Sequence, residues 1–375
     1  MTVNLEEGRV KKIKETNNIY AMFKNSLMNN LLNEKTQFLK EELIPNFLLK
    51  LSNSSMKTIN SNSNFIQVSP ELEFEDEPQL CLNLKELNDP IPIHPIYKDS
   101  TIVAVDVSSI KIGATNNGVV CAIRGAVVWR NRGEINFFRC GPLLFHITEF
   151  VIEQLYNHGG VNETLLEFPI GVVSRLRNLL ERFIQGNVCN YFQDSIILFD
   201  GSLTAGTPDN PVNNLNQILS KARENKNVVL AISKTTKIGL SGVKLSELIK
   251  SFKGPCLLDI DENIRAFFPT HPVQLLGKVY AAKLSVKGLS FRLDVDRKVN
   301  HKDTMEALGR LIVNDVVDQG YPDTLRLAHI LSSFTASDVI GMQRFLSKKF
   351  KLQIVPKINL RKILFGPFGG LTEVS

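Results

Sequence analysis

Thr101-Ile-Val-Ala-Val-Asp106-Val-Ser-Ser109 is the stretch on which the reading of the whole chain turns. β-favouring and small apolar residues run into a carboxylate and small hydroxyl residues follow, the pattern of a buried strand that delivers Asp106 to its C-terminal end. A charge in that position needs a partner or a ligand. Farther on, Ile196-Ile-Leu-Phe-Asp200-Gly-Ser-Leu203 repeats the design. Two buried strands that each end in aspartate place two carboxylates together at one edge of a sheet.

Between and beyond them the periodicity is consistent with one sheet. Gly118 to Trp129 and Glu134 to Phe138 read as strands joined by a hairpin turn at Asn131-Arg-Gly133, so a three-stranded meander opens the core. Val173, Leu176, Leu179, Leu180 and Phe183 then share one helical stripe, with Glu181 at its flank. After the Asp200 strand come a helix around Leu215 to Arg223 and a strand from Val228 to Lys234. Three antiparallel strands followed by alternating helices and strands is the order of the ribonuclease H-like fold. Val279 to Ser285 and Ser290 to Val295 read as a hairpin that extends the sheet. Helices follow: Met305 to Val317, stopped by Gly320; one begun by Pro322 and running through His329; and Val339 to Phe350.

The expected architecture is α/β: a ribonuclease H-like mixed sheet with flanking helices, an N-terminal helical arm and C-terminal helices. The arm spans 1–98, the core 99–350 and an apolar, glycine-rich tail 351–375. Within the arm, Ile19, Met22, Phe23 and Leu27, then Phe38, Leu39 and Leu43, predict two amphipathic helices. Ser52 to Asn64, rich in Ser and Asn, predicts a mobile loop, and the acidic run Glu71 to Glu77 a solvated edge.

With 375 residues, 43% hydrophobic and 22% charged, the chain can bury a large core. Its 44 Lys and Arg against 38 Asp and Glu give +6, which permits nucleic-acid binding without requiring it. The five cysteines lack C-x-x-C spacing and no two of the six histidines have H-x3-H spacing, which argues against zinc. No membrane span or signal peptide is visible, and a cytoplasmic protein with reduced thiols is expected.

In a ribonuclease H-like sheet the first and fourth strands are parallel neighbours, so Asp106 and Asp200 emerge side by side. Two such carboxylates repel unless a cation lies between them. Hard ions such as Mg2+ or Mn2+ prefer oxygen ligands, and a pair of them promotes phosphodiester cleavage. Either aspartate alone is better explained as a cap on the turn after its strand; the repeat in matching topological places reverses this and favours the metal. Glu181 is the expected third ligand, with Glu167 as fallback. Lys234, at the next strand end, can meet a phosphate or the carboxylates. Arg124 and Arg130, interleaved with aromatic residues, and Arg177 beside Glu181 are candidate DNA contacts.

Ala-Val-Asp106 with Ser-Ser after it, the helix bearing Arg175, Arg177 and Glu181, Phe-Asp200-Gly-Ser-Leu, Ala-Ile-Ser-Lys234, and Tyr321-Pro322 with Ala328-His329 together resemble the NurA nucleases of archaea. The resemblance covers about residues 100 to 345. It implies that Asp106, Glu181 and Asp200 bind Mn2+ or Mg2+ in a two-metal site, assisted by Tyr321 and His329. It also implies a homodimeric nuclease acting on single-stranded DNA and duplex ends, with the hexameric ATPase HerA, in double-strand break resection. Two other classes compete: a non-catalytic DNA-binding subunit, which should lose a carboxylate, and an actin-like phosphotransferase, which needs a second copy of the core.

Overall fold

The computed structural model describes residues 44–59, 65–68, 80–82, 89–159, 170–207, 210–234, 238–240, 243–244, 247–265 and 273–356. The chain divides into two compact units, Met1–Leu43 and Ile44–Ser375, and all described residues belong to the second. The two helices expected before residue 44, the acidic run, Glu167 and the apolar tail from 357 lie outside the described residues.

Helix α1 (Asn46–Lys57) and strand β1 (Phe65–Val68) precede the core. The expectation of a mobile loop from Ser52 is corrected here, because residues 52–57 are helical. Tertiary partners outweigh the polar composition: the Ser52 hydroxyl donates to the Leu144 carbonyl at 2.6 Å, and the Ser55 hydroxyl accepts from the His146 amide. Leu48, Leu51 and Met56 are buried on the same helix.

The meander consists of β2 (Ile102–Thr115), β3 (Gly118–Asn131) and β4 (Glu134–Ile147). Arg132 and Gly133, both with positive φ (48° and 84°), form the turn between β3 and β4, within the expected Asn131-Arg-Gly133 stretch, while Asn131 still belongs to β3. Helix α2 (Glu149–Gly159) and helix α3 (Ile170–Tyr191) lead to β5 (Ile196–Asp200). Helix α4 (Val212–Glu224) then feeds β6 (Val228–Ser233). β3 pairs antiparallel with β2 and β4, whereas β5 is parallel to both β2 and β6. The order β4-β3-β2-β5-β6 with these directions is the ribonuclease H-like sheet.

Beyond β6 the sheet continues antiparallel through β9 (Ser290–Asp296), β8 (Gly277–Lys283) and β7 (Cys256–Asp259). Helices α5 (His301–Asn314), α6 (Asp323–Ser332) and α7 (Ala336–Phe350) follow, and β10 (Gln353–Pro356) pairs with β1. Gly320 does not stop α5. That helix ends at Asp315, and Gln319-Gly320 is the turn of a small hairpin pairing Val317–Asp318 with Tyr321–Pro322.

Helices cover both faces of the sheet. Ile102, Ala104, Ile196, Leu198, Leu230 and Ile232 form one buried cluster with Leu308 and Leu311 of α5 and Leu325 and Ala328 of α6. Burying each such Leu or Ile contributes about 1.5–3 kcal/mol. Helix α3 lies on the other face. Its Ile184 packs over Gly125 so closely that a Cβ there would stand 2.5 Å from the Ile184 side chain.

Candidate active site

Strand periodicity places the site. Ile102, Ala104 and Asp106 point to one face of β2; Ile196, Leu198 and Asp200 share that face on β5, as do Leu230, Ile232 and Lys234 along β6. Register does the rest. Val105 lies opposite Phe199, so Asp106 and Asp200 are the next residue along each parallel strand. Gly201, with φ +109°, turns the chain away directly after Asp200, and its amide donates to the Ile232 carbonyl at 3.0 Å. Asp106 is not at a strand terminus. β2 runs on to Thr115 because β3 keeps pairing with it, and only the parallel pairing with β5 ends beside Asp106.

Helix α6 covers this face and presents His329 and Ser332, one turn apart, to Asp106. His329 Nδ1 is 3.1 Å from Asp106 Oδ2 and 3.6 Å from Asp200 Oδ2. The Ser332 hydroxyl donates to Asp106 Oδ2 and lies 3.0 Å from the Ser108 hydroxyl. Lys234 Nζ is 2.7 Å from Asp200 Oδ2. Burial works to raise both aspartate pKa values. For Asp106 the hydrogen bonds from His329 and Ser332, with the charges of His329 and Lys234, outweigh burial and hold the carboxyl below the usual range. For Asp200, burial and repulsion from Asp106 prevail over the bond from Lys234 and push the carboxyl up.

Ligand atoms of Asp106, Asp200 and His329 all lie within 4.8 Å of one another. Two carboxylates and an imidazole, half-open to solvent on one side, suit a hard divalent cation. Tyr321 borders the group. Its hydroxyl is buried with no hydrogen-bond partner among the described residues, and burial, then Asp200 and Asp106, raise its pKa. Lys234 Nζ stands 5.8 Å from the centre of its ring.

Not every expected residue joins this group. Glu181 stands outside the set whose ligand atoms meet, because α3 packs on the opposite face of the sheet. Its carboxylate accepts from Gln185 at 3.0 Å. Burial raises its pKa, against Arg182 and Arg177 and with Asp106 and Asp200, so it feels the aspartates from a distance. Arg124 and Arg130, expected to contact DNA, are buried instead. Arg124 bonds to the Asp338 carboxylate and the Ser333 carbonyl and lies over the Phe334 ring. Arg130 pairs with Asp315 at 3.1 Å and with Asp323 at 3.3 Å. Both guanidiniums anchor α6 and α7 to β3 rather than facing a ligand. Ser332 went unrecognised in the sequence; its position three residues after His329 was the available signal.

No protein-family model matches the chain, and no curated protein does. Solved structures do. The NurA nuclease from Sulfolobus solfataricus aligns at 17% identity with a TM-score of 0.49, over 70% of this chain and 88% of that one. A NurA bound to dAMP and manganese aligns at 12% identity, TM-score 0.35, over 66% and 88%. An endonuclease V from Streptomyces avermitilis aligns at 10% identity, TM-score 0.33, over 76% and 90%.

Proposed function

We propose that this chain is a divalent-metal-dependent deoxyribonuclease. The observation that carries the reading is the convergence of Asp106, Asp200 and His329 at the end of two adjacent parallel strands, with ligand atoms within 4.8 Å. Mn2+ or Mg2+, in a two-metal arrangement, suits that donor set and would supply Lewis-acid activation of a phosphodiester and of water. The chain's own groups supply the rest. Asp106 and Asp200 would hold the cations, and Glu181 is kept as the further carboxylate that the resemblance implies. His329 can donate a hydrogen bond to a phosphate oxygen as charge builds on it. Lys234 offsets phosphate charge, and the unsatisfied Tyr321 hydroxyl orients the scissile group. Arg177 stays in the reading as a DNA contact.

Resemblance extends the proposal to exonuclease action on DNA ends and endonuclease action on single-stranded DNA. It also supplies a homodimeric assembly and a HerA-type hexameric ATPase partner in double-strand break end resection and repair. Incubating linear duplex and single-stranded DNA with Mn2+, Mg2+ or a chelator, using the parent protein and Asp106→Asn, tests the core of it. Metal-dependent cutting by the parent alone is expected. Binding without cutting in every metal would favour a non-catalytic DNA-binding subunit. An actin-like phosphotransferase has less support, since the described residues contain one copy of the core.

A further inference from the structure

Next to His329 opens a cavity of about 250 Å3 that none of the carboxylates lines. Phe291 and Tyr321 wall it as an edge-to-face pair with ring centres 5.3 Å apart, and Leu289, 62% exposed, stands at its mouth. Lys234, Arg326 and the Gln319 amide rim it. The mouth is braced by two turns: the Leu289 amide donates to the Gln319 carbonyl at 2.8 Å, and a Cβ on Gly288 would stand 2.6 Å from Gly320. Arg326 is held there by the Asp318 carbonyl at 3.0 Å.

We propose that this cavity seats one unpaired nucleobase of the DNA strand whose phosphate lies at Asp106 and Asp200; the inference rests on the nuclease reading and gives it a substrate geometry. Aromatic and aliphatic walls with a few polar groups at the rim are what a base needs, since every base offers a π-face. The cavity is continuous with the carboxylate site through Tyr321, Lys234 and His329, so base and phosphate of neighbouring nucleotides reach it together. Lys234 and Arg326 supply the positive charge that a strand entering a base seat requires. At about 250 Å3 the cavity lies below the range, from about 300 Å3 upward, of sites for drug-sized ligands, which suits an occupant as small as one base.

Short single strands carrying one abasic position, moved stepwise along the sequence, test this with the full-length protein. Equilibrium binding would be measured in chelator and single-turnover cleavage in Mn2+, for the parent and for Leu289→Ser, an exposed change whose melting temperature should match the parent's. One abasic position should weaken binding by about tenfold, the scale of one stacked base. Leu289→Ser should weaken the intact strand several-fold yet make no difference to the strand already lacking that base, a non-additivity that a merely structural role does not produce. If the protein cuts DNA while every abasic position is silent, the base seat is wrong and the nuclease reading stands. If it neither binds nor cuts any DNA, both fall.

Discussion

At the scale of single residues, Asp106 carries the most. It takes His329 and Ser332 on one carboxylate oxygen and leaves the other for a cation. Asp106→Asn and Asp200→Asn should each lower metal-dependent cleavage by at least about a hundredfold without unfolding the chain, because the amide keeps the size but is a poorer ligand. Parent-rate cutting by either variant sinks the site. Ser332→Ala frees Asp106 to rotate, and loss of a group that orients a ligand typically costs about 10- to 100-fold in metal affinity. A Mn2+ titration followed by thermal shift reads that directly, independently of cleavage; an unchanged midpoint would relegate Ser332 to packing. His329 is 46% exposed on its side chain, which leaves little packing for it to do. His329→Ala should lower turnover by roughly a hundredfold at an unchanged melting temperature. Normal turnover with a lowered melting temperature would reverse that assignment.

Among the elements, the docking of α1 on the meander has its own titration. His146 is fully buried between the Thr58 hydroxyl at 2.7 Å and the Thr115 hydroxyl at 2.8 Å, pinning the end of α1 to β2 and β4. Burial pulls its pKa down from 6.5 to about 4. Between those values the unfolded chain binds the proton and the folded chain does not, so stability rises with pH through the window. It is fully present above pH 6.5 and is progressively lost toward pH 4, by about 3 kcal/mol at most. Melting curves from pH 4.5 to 7 should show this slope. The same slope in His146→Gln would assign it to other groups. Asp338 has the same sign of dependence in a lower window: Arg124 holds its carboxyl down at about 2, so that pair persists between pH 4.5 and 7.

For the molecule as a whole, the proposed metal binding at the two close carboxylates would be a stability term. At a cation concentration a hundred times Kd, binding to the folded state alone adds about 2.7 kcal/mol. For a chain of this size that is roughly 3–4 °C in melting temperature. Mn2+ should produce the shift in the parent and not in the Asp106→Asn, Asp200→Asn double variant; an equal shift in both would place the cation elsewhere. Among the described residues no helix is long and apolar enough to cross a membrane, and the proposed DNA binding, where it rests on phosphate contacts, should weaken with salt.

What the sequence determined by itself follows from local periodicity. Alternation along three apolar strands put Asp106, Asp200 and Lys234 on one face, and Arg132-Gly133 announced its own turn, because side-chain direction and positive φ are properties of neighbouring residues. Tyr321 and His329 were placed near the site by resemblance; the small hairpin before α6 carries Tyr321 and α6 carries His329. Tertiary structure decided the remainder. Ser332 reaches Asp106 across 226 residues and Arg124 finds Asp338 across 214, pairings that no window of sequence contains. The same distance explains α1, whose serines are helical because the Leu144 carbonyl accepts from the Ser52 hydroxyl and the His146 amide donates to the Ser55 hydroxyl. It also explains Glu181, whose helix the sequence could align with the strands but could not assign to a face of the sheet. Periodicity says which way a side chain points from its own element; only packing says what stands opposite.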